Sequence, residues 1–231
     1  MYVRKFPASA CKDMLKYFER YTSQNGTIIS FSDEVIDTNK TYLNYNLAPD
    51  RGNQYEFMKK RCREANAVKR KDLITMCTIE VIKPKDLPES ITEEAFFKAV
   101  YNHFRKKLGE ENIISCYVHK DENSQPHCHV AFVPACPDKN GKITVSARRL
   151  ISRPFLRLLH AEAEVAVSEE LGQKIHLING EATIDRSNLS ASKYKEYIEI
   201  QEQLEAKKKE IAELQKEIHA AQEILKKLKK N

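Results

Sequence analysis

Two apolar runs of strand-forming residues, IISCYV (113 to 118) and HVAFVP (129 to 134), are separated by a short polar segment containing Pro126. That spacing predicts a β-hairpin whose strands are antiparallel neighbours. Three of the seven histidines of the chain, His119, His127 and His129, fall in this stretch. Residues two apart on a strand project from the same face, so His127 and His129 point together while Cys128 points away. His119 closes the partner strand, where cross-strand neighbours have Cβ atoms about 5 Å apart, near enough for a third nitrogen to share one ion. Three imidazoles on a rigid two-stranded platform leave coordination positions open for water or substrate. A closed structural zinc site would want a fourth protein ligand such as Cys, and Cys128 faces the wrong way. Imidazoles suit several divalent ions. A phosphoryl-transfer task would favour Mn²⁺ or Mg²⁺, with Zn²⁺ or Ni²⁺ as other occupants. Asp121 and Glu122, between the ligands, can orient an imidazole through its second nitrogen or accept a proton from a nucleophile.

The surrounding sequence supplies a fold for this hairpin. Further β-rich runs at TIISF (27 to 31) and LITMCTIEVI (73 to 82) alternate with helical stretches near 9 to 22, 53 to 67, 92 to 108 and 146 to 170. The chain is read as α+β, with a globular domain over residues 1–190. From about 191 to 231 the composition shifts to Glu, Lys, Ala and Leu without Gly or Pro. Tyr197, Leu204, Ile211, Ile218 and Leu225 recur every seven residues there. This pattern predicts a long helix able to form a coiled coil, and hence a homodimer, or to pack back on the domain or stand alone. The six cysteines are scattered with no CxxC pair, as reduced thiols of a cytoplasmic protein would be. No stretch approaches the roughly 18 apolar residues that a membrane span needs, and the start MYVRKFPASACKD lacks the apolar core of a signal peptide. A balance of 39 basic against 33 acidic residues permits a local nucleic-acid patch without demonstrating one.

The motif HxDExxxPHxHxxxVP, here His119 to Pro134, followed by the turn Asn140-Gly141-Lys142-Ile143, resembles the metal motif of the MobV, or Pre/Mob, plasmid mobilisation and recombination relaxases. These belong to the class of endonucleases with a His-hydrophobic-His core. Two further blocks are similar, Tyr42-Leu43-Asn44-Tyr45-Asn46-Leu47 and Arg70-Lys71-Asp72, so that the likeness runs from residue 14 to about 195. The resemblance implies an antiparallel central sheet with the metal-binding hairpin at its centre, helices packed on it and a long C-terminal helix. It implies Asn44, Tyr45, Arg70 and Lys71 as DNA contacts. One departure stands out. The family's N-terminal motif is often His-Asn-x-Arg, with the His proposed as nucleophile, whereas this chain reads Lys16-Tyr17-Phe18-Glu19-Arg20 and has no histidine before His103.

Tyr17 thus occupies the nucleophile's place, with Tyr21, Tyr42 and Tyr45 as other candidates. The implied reaction is attack of the Tyr17 phenolate on a scissile phosphate, with Glu122 or Asp121 taking the proton. Arg20, three residues along the same predicted helix, is expected to grip a neighbouring phosphate. The substrate would be single-stranded or hairpin DNA at an origin of transfer. A rolling-circle replication initiator or single-strand transposase shares the same chemistry. A metal-stabilised DNA-binding adaptor without catalysis is the alternative from another class, and a coiled-coil scaffold would leave the histidines unexplained.

Overall fold

The computed structural model describes residues 1–22, 36–177 and Lys207. Apart from Lys207, these lie in the first of two compact units, Met1–Asn179, the second being Gly180–Asn231. The expected strand at 27 to 31 and, Lys207 apart, the heptad-patterned segment lie outside the described residues. In chain order the elements are β1 (Tyr2–Pro7), α1 (Ala8–Phe18), β2 (Tyr45–Asn46), α2 (Gln54–Glu64), β3 (Ile74–Ile82), α3 (Glu93–Leu108) and β4 (Ile113–His119). They continue with β5 (His127–Phe132), β6 (Ala135–Pro137), β7 (Ile143–Val145), α4 (Ala147–Leu150) and α5 (Arg153–Leu171).

Five strands form one antiparallel sheet in the order β1-β3-β5-β4-β2, which puts the predicted hairpin, β4 and β5, at its centre. Strand β5 is buried along its whole length. Its alternating side chains divide the protein into two layers. Cys128, Val130 and Phe132 join the core formed with Phe97, Val100 and Phe104 of α3 and Leu159 and Val167 of α5. Ala131 packs on the opposite face with Cys11 and Leu15 of α1 and Met58 and Cys62 of α2. His127 and His129 share the Ala131 face by parity, so the sheet presents them to the side that α1 covers.

The helices begin where local chemistry allows. Thr92 accepts a hydrogen bond from Ala95 N at the start of α3, and Asn53 does the same for Glu56 N at the start of α2. The single helix expected over 146 to 170 is two. Helix α4 ends at Leu150, and Ser152 caps a new helix with Pro154 in its first turn, because proline there would clash with a continuous helix but fits a starting one. Helix α1 stops at Phe18, short of the expected residue 22, because Arg20 takes a left-handed backbone conformation (φ 54°). Backbone N–H groups of Glu19 and Tyr21 close the last turn on Leu15 O and Lys16 O.

Strand β1 was not read from the sequence. YVRKFP forms an edge strand against β3, with Tyr2, Arg4 and Lys5 exposed. Within the described residues, no helix is long and apolar enough to cross a membrane. Phe132 is fully buried in the central strand. Its replacement by Ala is expected to cost about 3–5 kcal/mol, read as a lower urea midpoint at unchanged slope.

Candidate metal centre

The hairpin register sets His119 directly opposite His127, and Tyr117 opposite His129. The three imidazole centroids lie 4.9 to 5.6 Å apart. One ligand atom from each ring falls within 4.8 Å of the others, and all three residues are buried.

The second ring nitrogens show which atoms face inward. His119 Nε2 lies 2.8 Å from the Phe18 carbonyl, and His127 Nδ1 lies 3.0 Å from the Gln125 carbonyl. A carbonyl only accepts, so these nitrogens carry protons, and the other nitrogen of each ring, His119 Nδ1 and His127 Nε2, faces the Glu122 side. His119 Nδ1 and His129 Nε2 are buried and make no hydrogen bond among the described residues. Burial holds the pKa of His119 below its ordinary value against the opposing pull of Glu122, and burial followed by the neighbouring imidazoles holds that of His129 well below it. Both are therefore neutral near pH 7, the form that ligates a metal. Buried polar atoms left unsatisfied cost about 1–3 kcal/mol each, and a divalent cation would satisfy these. The donor set fits one.

The C-terminal end of α1 seals the centre. Phe18 contributes its carbonyl to His119 and stacks its ring on His129, with centroids 4.6 Å apart and planes at 28°. Tyr17 stands edge-on to His119 and His129. Its hydroxyl donates to Glu122 Oε1 at 2.7 Å. The Glu122 carboxylate lies in turn 3.3 Å from His127 Nε2 and 3.6 Å from His119 Nδ1. Burial, and then the bond to and charge of Glu122, raise the Tyr17 pKa above its ordinary value, while Arg20 pulls it down.

Arg20 does not reach outward to a phosphate as expected. Beyond the end of α1 its side chain turns inward, with Nε and Nη2 donating to the two Asp121 oxygens at 3.0 and 2.9 Å and Nη1 to the Tyr17 carbonyl at 3.1 Å. Nη2 also bonds Glu122, and the guanidinium lies 4.6 Å from the Tyr17 ring centroid. The side chain is only 2% exposed. Asp121 is engaged by Arg20 and by the Thr41 hydroxyl, which donates at 2.9 Å. Burial opposes the Asp121 charge, but Arg20 and Thr41 outweigh it and hold the pKa below its usual range. Of the two expected proton acceptors, Glu122 alone meets the Tyr17 hydroxyl.

The remaining expected contacts separate. Asn44 Oδ1 accepts from Lys120 N at 2.7 Å and so ties a loop to the hairpin. Tyr45 pairs with Val118 and therefore lies on the α3 face, across the sheet from the histidines, where it packs against the core with its hydroxyl buried. Arg70 and Lys71 precede β3 at the end remote from the histidines, since Ile82 rather than Ile74 pairs with His127. At about 3.3 Å per residue that is roughly 25 Å away. Both are exposed, and Arg70 pairs with Asp72 at 2.6 Å. Phe18 and Thr41 were missed. A backbone carbonyl carries no side-chain signal, although Thr41 adjoins the block at 42 to 47.

A known family matches most of the chain that builds this centre. The family described as "Plasmid recombination enzyme" (Mob_Pre) matches residues 1–196. The chain belongs to this family. A plasmid recombination enzyme of Lactiplantibacillus plantarum is 28% identical over 185 residues, covering 77% of this chain and 49% of the relative. A plasmid recombination enzyme type 2 of Staphylococcus aureus strain N315 is 27% identical over 173 residues, 72% of this chain and 39% of its own length. The Mob_Pre chain thus spans half or less of these curated relatives. Among solved structures, the MobM relaxase domain (MOBV; Mob_Pre), Mn-bound and in complex with 22-nucleotide plasmid pMV158 oriT DNA, is 26% identical with a TM-score of 0.61. It covers 85% of this chain and 97% of that one. A second Mn-bound complex of that domain, with a 3′-thiophosphate, gives 25% identity and a TM-score of 0.63 over 85% and 96% of the two chains.

Two outcomes follow for the isolated protein. Mn²⁺ at about 100 times its Kd should add about 2.7 kcal/mol of stability, and His129→Ala should abolish that increment in thermal melts. Arg20→Ala, which leaves Asp121 buried without its cation, should cost about 3–5 kcal/mol. Adding Asp121→Asn should recover part of the loss, measured as the coupling energy of a double-mutant cycle.

Proposed function

We propose that this chain is the catalytic part of a plasmid relaxase, a site- and strand-specific DNA nicking and joining enzyme that starts mobilisation at an origin of transfer. The observation that carries the reading is the hydrogen bond from Tyr17 to Glu122 beside the three histidines. Family membership and the Mn-bound MobM complexes with oriT DNA support it.

In the proposed reaction the Tyr17 oxygen attacks the scissile phosphorus in line and passes its proton to Glu122. The new O–P bond leaves a 5′-phosphotyrosyl strand. The bond to the 3′ oxygen breaks, that oxygen takes up a proton, and the strand end becomes a free 3′ hydroxyl. Joining is the reverse. His119, His127 and His129 would hold the divalent ion, with Mn²⁺ or Mg²⁺ suited to phosphoryl transfer, and that ion when bound would neutralise charge on non-bridging phosphate oxygens. Arg20 keeps positive charge against the Tyr17 ring, where the phenolate develops.

The geometry favours Tyr17 over the other tyrosines. Tyr45 points to the opposite face of the sheet, and Tyr21 and Tyr42 are exposed. The test uses supercoiled plasmid carrying the chain's own candidate transfer origin, with and without Mn²⁺. Metal-dependent relaxed circles and a covalent protein–DNA adduct are expected, both lost in Tyr17→Phe and His127→Ala. Glu122→Gln should slow nicking by about 10²–10⁴-fold. Nicking that survives Tyr17→Phe would move the nucleophile elsewhere, and DNA binding without a nick in any metal would favour the non-catalytic adaptor.

A further inference from the structure

One carboxylate oxygen at the centre has two donors, and each donor is followed in sequence by an exposed tyrosine. Asp121 Oδ2 accepts from Arg20 Nε at 3.0 Å and from Thr41 Oγ1 at 2.9 Å. The next residues are Tyr21, 46% exposed, and Tyr42, 80% exposed. The two exposed tyrosines therefore sit one residue from side chains bonded to the same atom of the site.

Their surroundings differ. Lys16 Nζ lies 5.2 Å from the Tyr21 ring centroid. Among the described residues, no cation or ring stacks on Tyr42. Yet the turn that carries it is firmly held. Leu43 N and Asn44 N close a single 3₁₀ turn on Lys40 O and Thr41 O, and Asn44 Oδ1 accepts from Lys120 N. Tyr45 then pairs with Val118 in the sheet. Tyr42 is thus braced on both sides by bonds to residues 120 and 121, within the segment that joins His119 to Glu122. Of the large apolar and aromatic side chains described, it is the most exposed. An exposed aromatic ring carried on so firmly held a backbone offers its face to a flat partner, and with two side-chain torsions it loses little rotamer freedom on contact.

We infer that Tyr42 is a positioning residue for DNA, its ring stacking on one unpaired nucleobase close to the phosphate that Tyr17 attacks. The inference rests on the relaxase reading, since that reading supplies single-stranded DNA at Glu122. Stacking needs only the π face, so Tyr42 would fix where the strand lies rather than which base it carries. The phenol hydroxyl is not required, which separates this role from that of a nucleophile.

The test is made on the full chain carrying Tyr17→Phe, in chelator, so that binding is read without cleavage. Labelled single-stranded oligonucleotides tiling the candidate transfer origin are titrated by fluorescence anisotropy. The best binder is then remade with an abasic site at each position in turn. Tyr42→Ala should weaken binding about 5- to 150-fold, corresponding to ~1–3 kcal/mol, while Tyr42→Phe stays within about twofold of its parent. One abasic position should weaken the parent by a comparable factor and leave Tyr42→Ala unaffected, a coupling that mere structural damage would not produce. Unchanged affinity in Tyr42→Ala, or a loss that simply adds to every abasic position, overturns the inference. Failure of the relaxase reading shows separately, as absence of plasmid nicking by the chain with Tyr17 intact.

Discussion

The buried ion pair between Arg20 and Asp121 is the contact on which the geometry of the centre depends. Both side chains are almost fully excluded from solvent, and the guanidinium meets the carboxylate through two hydrogen bonds. Removing two charges from water is costly, and attraction between them offsets that cost only when geometry is good and the other polar atoms find partners. Here they do. Thr41 takes up Asp121 Oδ2, the Tyr17 carbonyl occupies the remaining nitrogen Nη1, and Glu122 shares Nη2 with Asp121. The consequence is positional, because a misplaced α1 would leave two charges buried without partners. Through this pair the end of α1 is locked to the loop between β4 and β5.

That lock also orients the metal ligands. The Phe18 carbonyl accepts from His119 only because α1 ends where it does, and α1 ends there because Arg20 adopts a positive φ. A non-glycine residue in that conformation carries a modest backbone cost, which the four hydrogen bonds of the guanidinium offset. On the other strand the Gln125 carbonyl sets the His127 tautomer. Two ligand orientations are thus set by backbone atoms outside the strands, while the sheet register sets the spacing of the three rings. The centre combines a rigid platform with lone pairs that the protein itself leaves unsatisfied, as expected of a site built to hold an ion rather than to maximise stability.

Much of this was legible in the sequence, and the parts that were not share a cause. The hairpin could be read because period-two alternation fixes which residues share a face; the His127, Cys128 and His129 assignments follow from that parity, and His119 from its place across the hairpin. The core helices could be read from their periodicity and caps. Strand β1 escaped because an edge strand needs only one apolar face, and YVRKFP carries charge on the other. Arg20 was assigned a place on a continuing helix, since nothing local announces a left-handed arginine. Its conformation is imposed by Asp121, about a hundred residues away in sequence. The position of Tyr45 is hidden for a related reason, because the face it shows depends on pairing with Val118, a register that no local pattern reveals.

A tyrosine where the family often has a histidine alters the physical problem of the proposed reaction. A neutral imidazole has a free lone pair at pH 7, whereas a phenol must shed a proton, and the buried environment of Tyr17 makes that harder by raising its pKa. Two features of the centre act against this penalty. Glu122 already accepts the Tyr17 proton in a 2.7 Å hydrogen bond, so transfer requires no rearrangement. Arg20 lies against the Tyr17 ring, and its charge favours the phenolate over the phenol. Among side chains this deeply buried such a charge acts with little screening. The Arg20–Asp121 pair therefore does more than fasten α1. Asp121 retains the guanidinium at the point where negative charge would appear on the nucleophile, and an arginine drawn outward to a DNA phosphate could not stabilise charge there.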